Sequence, residues 1–210
     1  MKPRPIVLLI LFLVMALLAW RNEKLAMLGR SAVDAKLRGD AVVLTWRSGV
    51  RAPMAAEFAD AYAEWAGQTD RFVIALHSPG GSLTEGAAVV DVIERMKRTH
   101  QVDTYVAGGD ACLSMCVPIF LRGEERRAGR SARFMFHEPS AYDAVTGEPV
   151  KQPRFEKDFT TERYYRRFFG DSPMDPAWGE DLKQQWRDKD IWKSAGQLVD
   201  EGANVVTDLR

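Results

Sequence analysis

Phe72-Val73-Ile74-Ala75-Leu76-His77-Ser78-Pro79-Gly80-Gly81-Ser82-Leu83-Thr84-Glu85 reads as a buried strand, a tight turn and a helix start in one stretch. Five consecutive apolar residues suit a strand inside a covered sheet. Pro79 and the glycine pair then break the run. Ser82 followed three residues later by Glu85 is a capping-box pattern, and Val89, Val90, Ile93 and Met96 recur at helical spacing beyond it. Strand, short turn and helix together form an α/β unit.

The same alternation extends in both directions. Residues 41–46, Ala-Val-Val-Leu-Thr-Trp, read as a buried strand, and residues 55–66 as a helix with Phe58, Tyr62 and Trp65 on one side and Pro53 near its start. Downstream, residues 102–106 predict a strand, Gly108-Gly109 a turn, Ser114 the opening of a helix, and residues 133–137 a further strand. Alternating strands and helices with short turns predict a mostly parallel sheet with right-handed crossovers. Ligands of such sheets bind beyond the carboxyl ends of the strands, where the Gly80-Gly81 turn and Ser114 both fall. Past Pro139 the pattern changes to a polar loop at 140–153 and a charged, aromatic helix at 155–169. A helix at 177–186, a short helix at 193–201 ended by Gly202, and a closing strand at Val205-Val206 complete the chain.

The chain has 210 residues, enough for one domain with a proper core, and its 29 basic residues balance 29 acidic ones. No global field therefore favours a nucleic-acid partner. The amino terminus differs in kind, because Ile6 to Trp20 is an uncharged apolar run after Lys2 and Arg4. It lies between a signal-peptide core of about 7–15 residues and a membrane span of about 20. With Ala19 at −1 of a cleavage site, Leu17 falls at −3, so the cleavage pattern is poor. The run predicts a single-pass anchor at residues 1–21 in a bacterial inner membrane, a juxtamembrane linker at 22–39 and a domain at 40–210 facing the periplasm. Secretion after cleavage is the alternative.

Three residue groups carry possible chemistry. A serine in an apolar helix is ordinarily just tolerated, but Ser114 falls near a helix amino end and points away from the face shared by Cys112 and Cys116. Those cysteines, four apart on a regular helix, are too distant at Cβ for a bridge, so reduced thiols packed in the core are expected. His137 ends a strand beside Pro139, whereas His77 reads as a neighbour of the glycine turn and His100 as a helix-end residue. A serine–histidine pair needs a third group to fix the imidazole tautomer. Asp158, Asp171, Asp175, Asp181, Asp188, Asp190 and Asp200 all qualify by position. No metal-ligand spacing and no cofactor fingerprint appear, so neither a metal nor a cofactor is expected.

With these residues assembled, the chain resembles the proteolytic subunit of Clp-type serine proteases, within the wider Clp/crotonase fold. Ser78-Pro79-Gly80-Gly81 is similar to that family's glycine turn, and Ser114-Met115 to its nucleophile. Met135-Phe136-His137-Glu138-Pro139 resembles its histidine strand. Asp190-Ile191-Trp192-Lys193-Ser194-Ala195 resembles the stretch carrying its last triad member, which singles out Asp190 with Asp188 as runner-up. The resemblance implies a repeated ββα spiral with a mostly parallel sheet, here preceded by a membrane helix. It implies a catalytic triad of Ser114, His137 and Asp190, an oxyanion hole from Gly80, Gly81 and Met115, a peptide or protein substrate, and a homo-oligomer. A periplasmic domain would have no unfoldase to feed it, so the peptidase is expected to be ATP-independent. The rival expectations are a catalytically silent scaffold of the same fold and a crotonase-like acyl-CoA enzyme.

Overall fold

A computed structural model describes residues 33–141 and 150–210. Strands β1 (Val33–Arg38) and β2 (Ala41–Trp46) form an antiparallel hairpin. Helix α1 (Met54–Trp65), strand β3 (Arg71–Leu76), helix α2 (Leu83–Met96) and strand β4 (Gln101–Val106) then alternate. β2, β3 and β4 run parallel in register, with Ala41 beside Arg71 and Arg71 beside Gln101. Strands β6 (Arg126–Ala128) and β9 (Asp208–Leu209) complete a six-stranded sheet of order β1-β2-β3-β4-β6-β9, in which only the β1 pairing is antiparallel.

The core follows from alternation along these strands. Phe72 and Ile74 of β3 are fully buried, as are Val89, Ile93 and Met96 of α2. Ser82 caps α2 by accepting the Glu85 amide, as the sequence predicts. The Glu85 carboxylate does not close the box. It accepts the Ala55 amide at 2.7 Å and so ties the start of α2 to the first turn of α1.

A second sheet has three strands. It joins β5 (Ala111–Leu113), β7 (Arg133–Phe136) and β8 (Ile191–Ser194), with β5 parallel to β7 and β8 antiparallel to it. Helix α3 (Cys116–Phe120) follows β5. Helix α4 (Arg154–Tyr165) continues into a π-helical turn (Arg166–Gly170), and α5 (Pro176–Gln185) and α6 (Ala195–Asp200) complete the helices described. Trp186 is buried against the rings of Tyr164, Tyr165 and Phe169, which fixes α4 and α5 to each other.

Several expectations are corrected. Residues 33–38, assigned to a linker by sequence, are a strand of the sheet, because their pairing partner β2 is the strand they immediately precede. The last strand is Asp208–Leu209; Val205 and Val206 are buried but pair with nothing in a sheet. Residues 191–194 form a strand, so the expected helix at 193–201 starts only at Ala195. The inner-membrane, periplasm-facing location is not upheld. Among the described residues no helix is long and apolar enough to cross a membrane, and the run Ile6 to Trp20 lies outside the described residues. The expected ATP-independence rested on that location and falls with it.

Candidate active site

The nucleophile candidate sits on a strand-to-helix elbow. β5 ends at Leu113, α3 begins at Cys116, and Ser114 between them adopts φ +52°. Left-handed backbone is costly for an L residue, and such outliers concentrate at functional sites. The expected placement of Ser114 inside a helix is therefore wrong, and with it the expected reduced cysteines. Cys112 lies on the strand rather than on the helix of Cys116. The elbow brings their Cα atoms to 5.2 Å and the two are joined as a disulfide.

The parallel pairing of β5 and β7 explains why serine and histidine meet. Leu113 pairs with Met135, so both strands end at the same edge, and the Ser114 amide donates to the Met135 carbonyl at 2.8 Å. The next residues, Ser114 and His137, approach until Ser114 Oγ lies 2.7 Å from His137 Nε2. Burial pushes the His137 imidazole below its ordinary pKa, partly offset by the negative charge of Asp190. The ring is thus neutral near pH 7, the form that accepts a proton.

Asp190 precedes β8 and is exposed. Among the described residues, no hydrogen bond or ion pair joins it to His137, although its charge acts on the ring. Asp188 is differently engaged, its carboxylate held by Arg154 at 3.0 Å and Lys157 at 2.6 Å.

The glycine turn lies against the elbow. Gly80 has φ +86°, and a Cβ there would stand 2.6 Å from both the Leu113 carbonyl oxygen and Ser114 Cβ. Only glycine fits on both counts. The Gly80 amide already donates to Ser78 Oγ at 3.2 Å, so its N–H is engaged, contrary to expectation. The amides of Gly81 and Met115 have no acceptor among the described residues. The turn, Ser114, His137, Met135, Leu83, Pro139, Ser140 and Tyr164 line a cleft of about 660 Å³.

Sequence reasoning missed Glu138. Its side chain is almost fully buried beside His137, where burial alone would push the carboxyl up. Lys157, the Asp188 amide and Arg154 outweigh that and hold it below the usual carboxylate range. Glu138 thereby ties the amino end of α4 and the turn before Asp190 to the histidine strand. A lone acidic residue between Phe136 and Pro139 was the available signal. His77 lies outside the cleft, against Asp110 and the Ala111 amide, and His100 bonds to Tyr62 at the end of α2.

Fold and site together define an α/β protein with a serine–histidine pair where two parallel strands end beside a glycine turn. Residues 44–152, just over half of the chain, match the Clp protease family, and the chain belongs to that family. It is 27% identical over 131 residues to the ATP-dependent Clp protease proteolytic subunit 1 of Chlamydia pneumoniae, covering 62% of this chain. That alignment spans 66% of the relative, just under two thirds of its length. The corresponding subunit of Chlamydia abortus is 26% identical over 141 residues, covering 67% of this chain and 71% of the relative. Among solved structures, a point mutant of ClpP1 from Listeria monocytogenes superposes with a TM-score of 0.59 at 18% identity, covering 80% of this chain and 90% of that one, a likeness of fold.

Proposed function

We propose that this protein is a serine peptidase. Ser114 Oγ attacks a peptide carbonyl while His137 Nε2 takes its proton. The tetrahedral oxyanion rests on the amides of Gly81 and Met115, and His137 then returns the proton to the leaving amine. Water repeats the sequence on the acyl-enzyme. The observation that carries this reading is the 2.7 Å contact between Ser114 and His137, both of which line the cleft. Asp190 acts through its charge, favouring the imidazolium that forms during attack.

The shape of the cleft supports a peptide substrate. Past Leu83 and Tyr164, which line both spaces, it adjoins a groove of about 420 Å³ between α2 and α4, walled by Ala87, Ala88 and Phe168. An extended chain fits this continuity better than a small ester does. Hydrolysis of an unstructured protein such as casein, lost in Ser114→Ala, tests the reading.

We further propose that the chain self-associates. Phe155 and Phe159, one turn apart on α4, are 73% and 64% exposed, and Trp192 on β8 is 48% exposed. Rings this exposed suit an interface.

A further inference from the structure

We infer that the Cys112–Cys116 disulfide is a positioning element of the active site, and that opening it switches the peptidase down. The inference rests on the serine-peptidase reading. It starts from what the covalent ring encloses. The bridge joins the middle residue of β5 to the first residue of α3, and the residues inside the ring are Leu113, Ser114 and Met115. The candidate nucleophile and one of the two free oxyanion donors therefore belong to one closed ring.

The ring holds a conformation that the chain alone disfavours. Ser114 lies at φ +52°, where an L side chain is crowded by its own backbone. On the strand side the ring is anchored, since the Leu113 amide donates to the Ser78 carbonyl at 3.0 Å and the Ser114 amide to Met135. On the helix side the anchor is Cys116, which is fully buried, as is Cys112. A ring of five residues removes little chain entropy compared with a long loop, so its effect is concentrated on the elbow itself. With the bridge open, nothing covalent opposes relaxation of Ser114 toward ordinary backbone. Displacement of a reacting group by about 1 Å costs on the order of 100-fold in rate.

The switching chemistry is thiol–disulfide exchange with a dithiol. One thiolate of the dithiol attacks a cysteine sulfur and forms a mixed disulfide. Its second thiol then closes on the first and releases the protein sulfur. Two electrons and two protons pass to the protein, leaving Cys112 and Cys116 as thiols and the dithiol as a disulfide. Because both sulfurs are buried, exchange needs local opening of the elbow.

The test compares full-length oxidised protein, protein reduced with dithiothreitol, and Cys112→Ala/Cys116→Ala. Bridge opening is followed by the mass gained on alkylation after denaturation. The readouts are the second-order rate of Ser114 labelling by a fluorophosphonate, kcat and KM on a peptide, and the circular dichroism of the fold. Reduced protein and the double variant should label at least tenfold slower, with kcat carrying the loss, KM within about twofold and the fold unchanged. Reoxidation should restore the wild-type rate, and dithiothreitol should do nothing to the double variant. If exchange fails to reach the buried bridge, the double variant still supplies the comparison. Equal labelling with the bridge present and absent, or a loss that only tracks unfolding, overturns this inference alone. An inert oxidised protein overturns the peptidase reading and this inference with it.

Discussion

Phe136 and Ile191 are antiparallel partners across β7 and β8, so the next positions outward along the two strands are His137 and Asp190. This register, rather than any direct bond, is what places a carboxylate near the imidazole. Asp188 lies two residues further out with its carboxylate occupied by Arg154 and Lys157. Asp190→Asn is expected to slow peptide hydrolysis about 10–100-fold, less than the roughly 10⁴-fold typical of a hydrogen-bonded triad aspartate. Asp188→Asn should stay within about threefold of wild type, since its salt bridges are exposed and contribute little. Steady-state kinetics of the two variants checks both, and the reverse order would show that the turn before β8 is misassigned.

The acid limb of the activity profile should lie low. Burial depresses the His137 pKa below 6.5, and only the neutral ring accepts the serine proton. Activity should therefore persist as pH falls to 6.5 and be lost below it. Asp190 raises the His137 pKa, so removing its charge in Asp190→Asn should move the limb to still lower pH. The same depression means the unfolded chain binds more protons on this group than the native one just below pH 6.5, so stability should decline as pH falls through that window. A limb centred above pH 7 contradicts the assignment of His137 as base.

Gly80 is held by space as well as by conformation. Gly80→Ala puts a methyl carbon 2.6 Å from the Leu113 carbonyl and Ser114 Cβ at φ +86°. The elbow must then shift away from the turn. Activity should fall at least 100-fold, the scale of losing one oxyanion donor. Thermal unfolding should report a destabilisation of about 1–3 kcal/mol. Unchanged kinetics would show that turn and elbow do not cooperate.

Self-association should be visible by light scattering on the full chain, with the Phe155→Ser/Phe159→Ser variant shifted to smaller species. Both rings are exposed in the single chain, so the substitutions should leave its stability within about 0.5 kcal/mol. A wild-type monomer at tens of micromolar, about the range in which exposed apolar surface associates, contradicts the proposal.

Much of this was legible in the sequence because it is local. The apolar run at Phe72 to Leu76, the glycine pair and the Ser82 cap each declare themselves within a few residues, and the structure has a strand, turn and helix there. The strand before His137 was also readable, whereas Ser114 was read as the opening of a helix and lies instead on the elbow after a strand that the sequence did not announce. What escaped depends on backbone choice or distant partners. The left-handed turn at Ser114 separates Cys112 from the helix of Cys116 and makes their bridge feasible, and no spacing rule reports a single dihedral. Glu138 owes its tolerated burial to Arg154 and Lys157, which lie far along the chain. Strand β1 was hidden because half of Val33–Arg38 is charged and most of it is exposed, as an edge strand often is.

The most direct test is covalent capture of Ser114. Full-length oxidised protein is treated with a fluorophosphonate, digested, and the modified peptide sequenced by mass spectrometry, alongside Ser114→Ala, His137→Ala and the double variant. The expected result is one adduct, on Ser114, abolished by either single substitution, with peptide hydrolysis in the double variant no lower than in the worse single, as for residues that act as a unit. A well-folded wild-type protein that gains no adduct, or one labelled equally with and without His137, contradicts the assignment of a serine nucleophile activated by histidine.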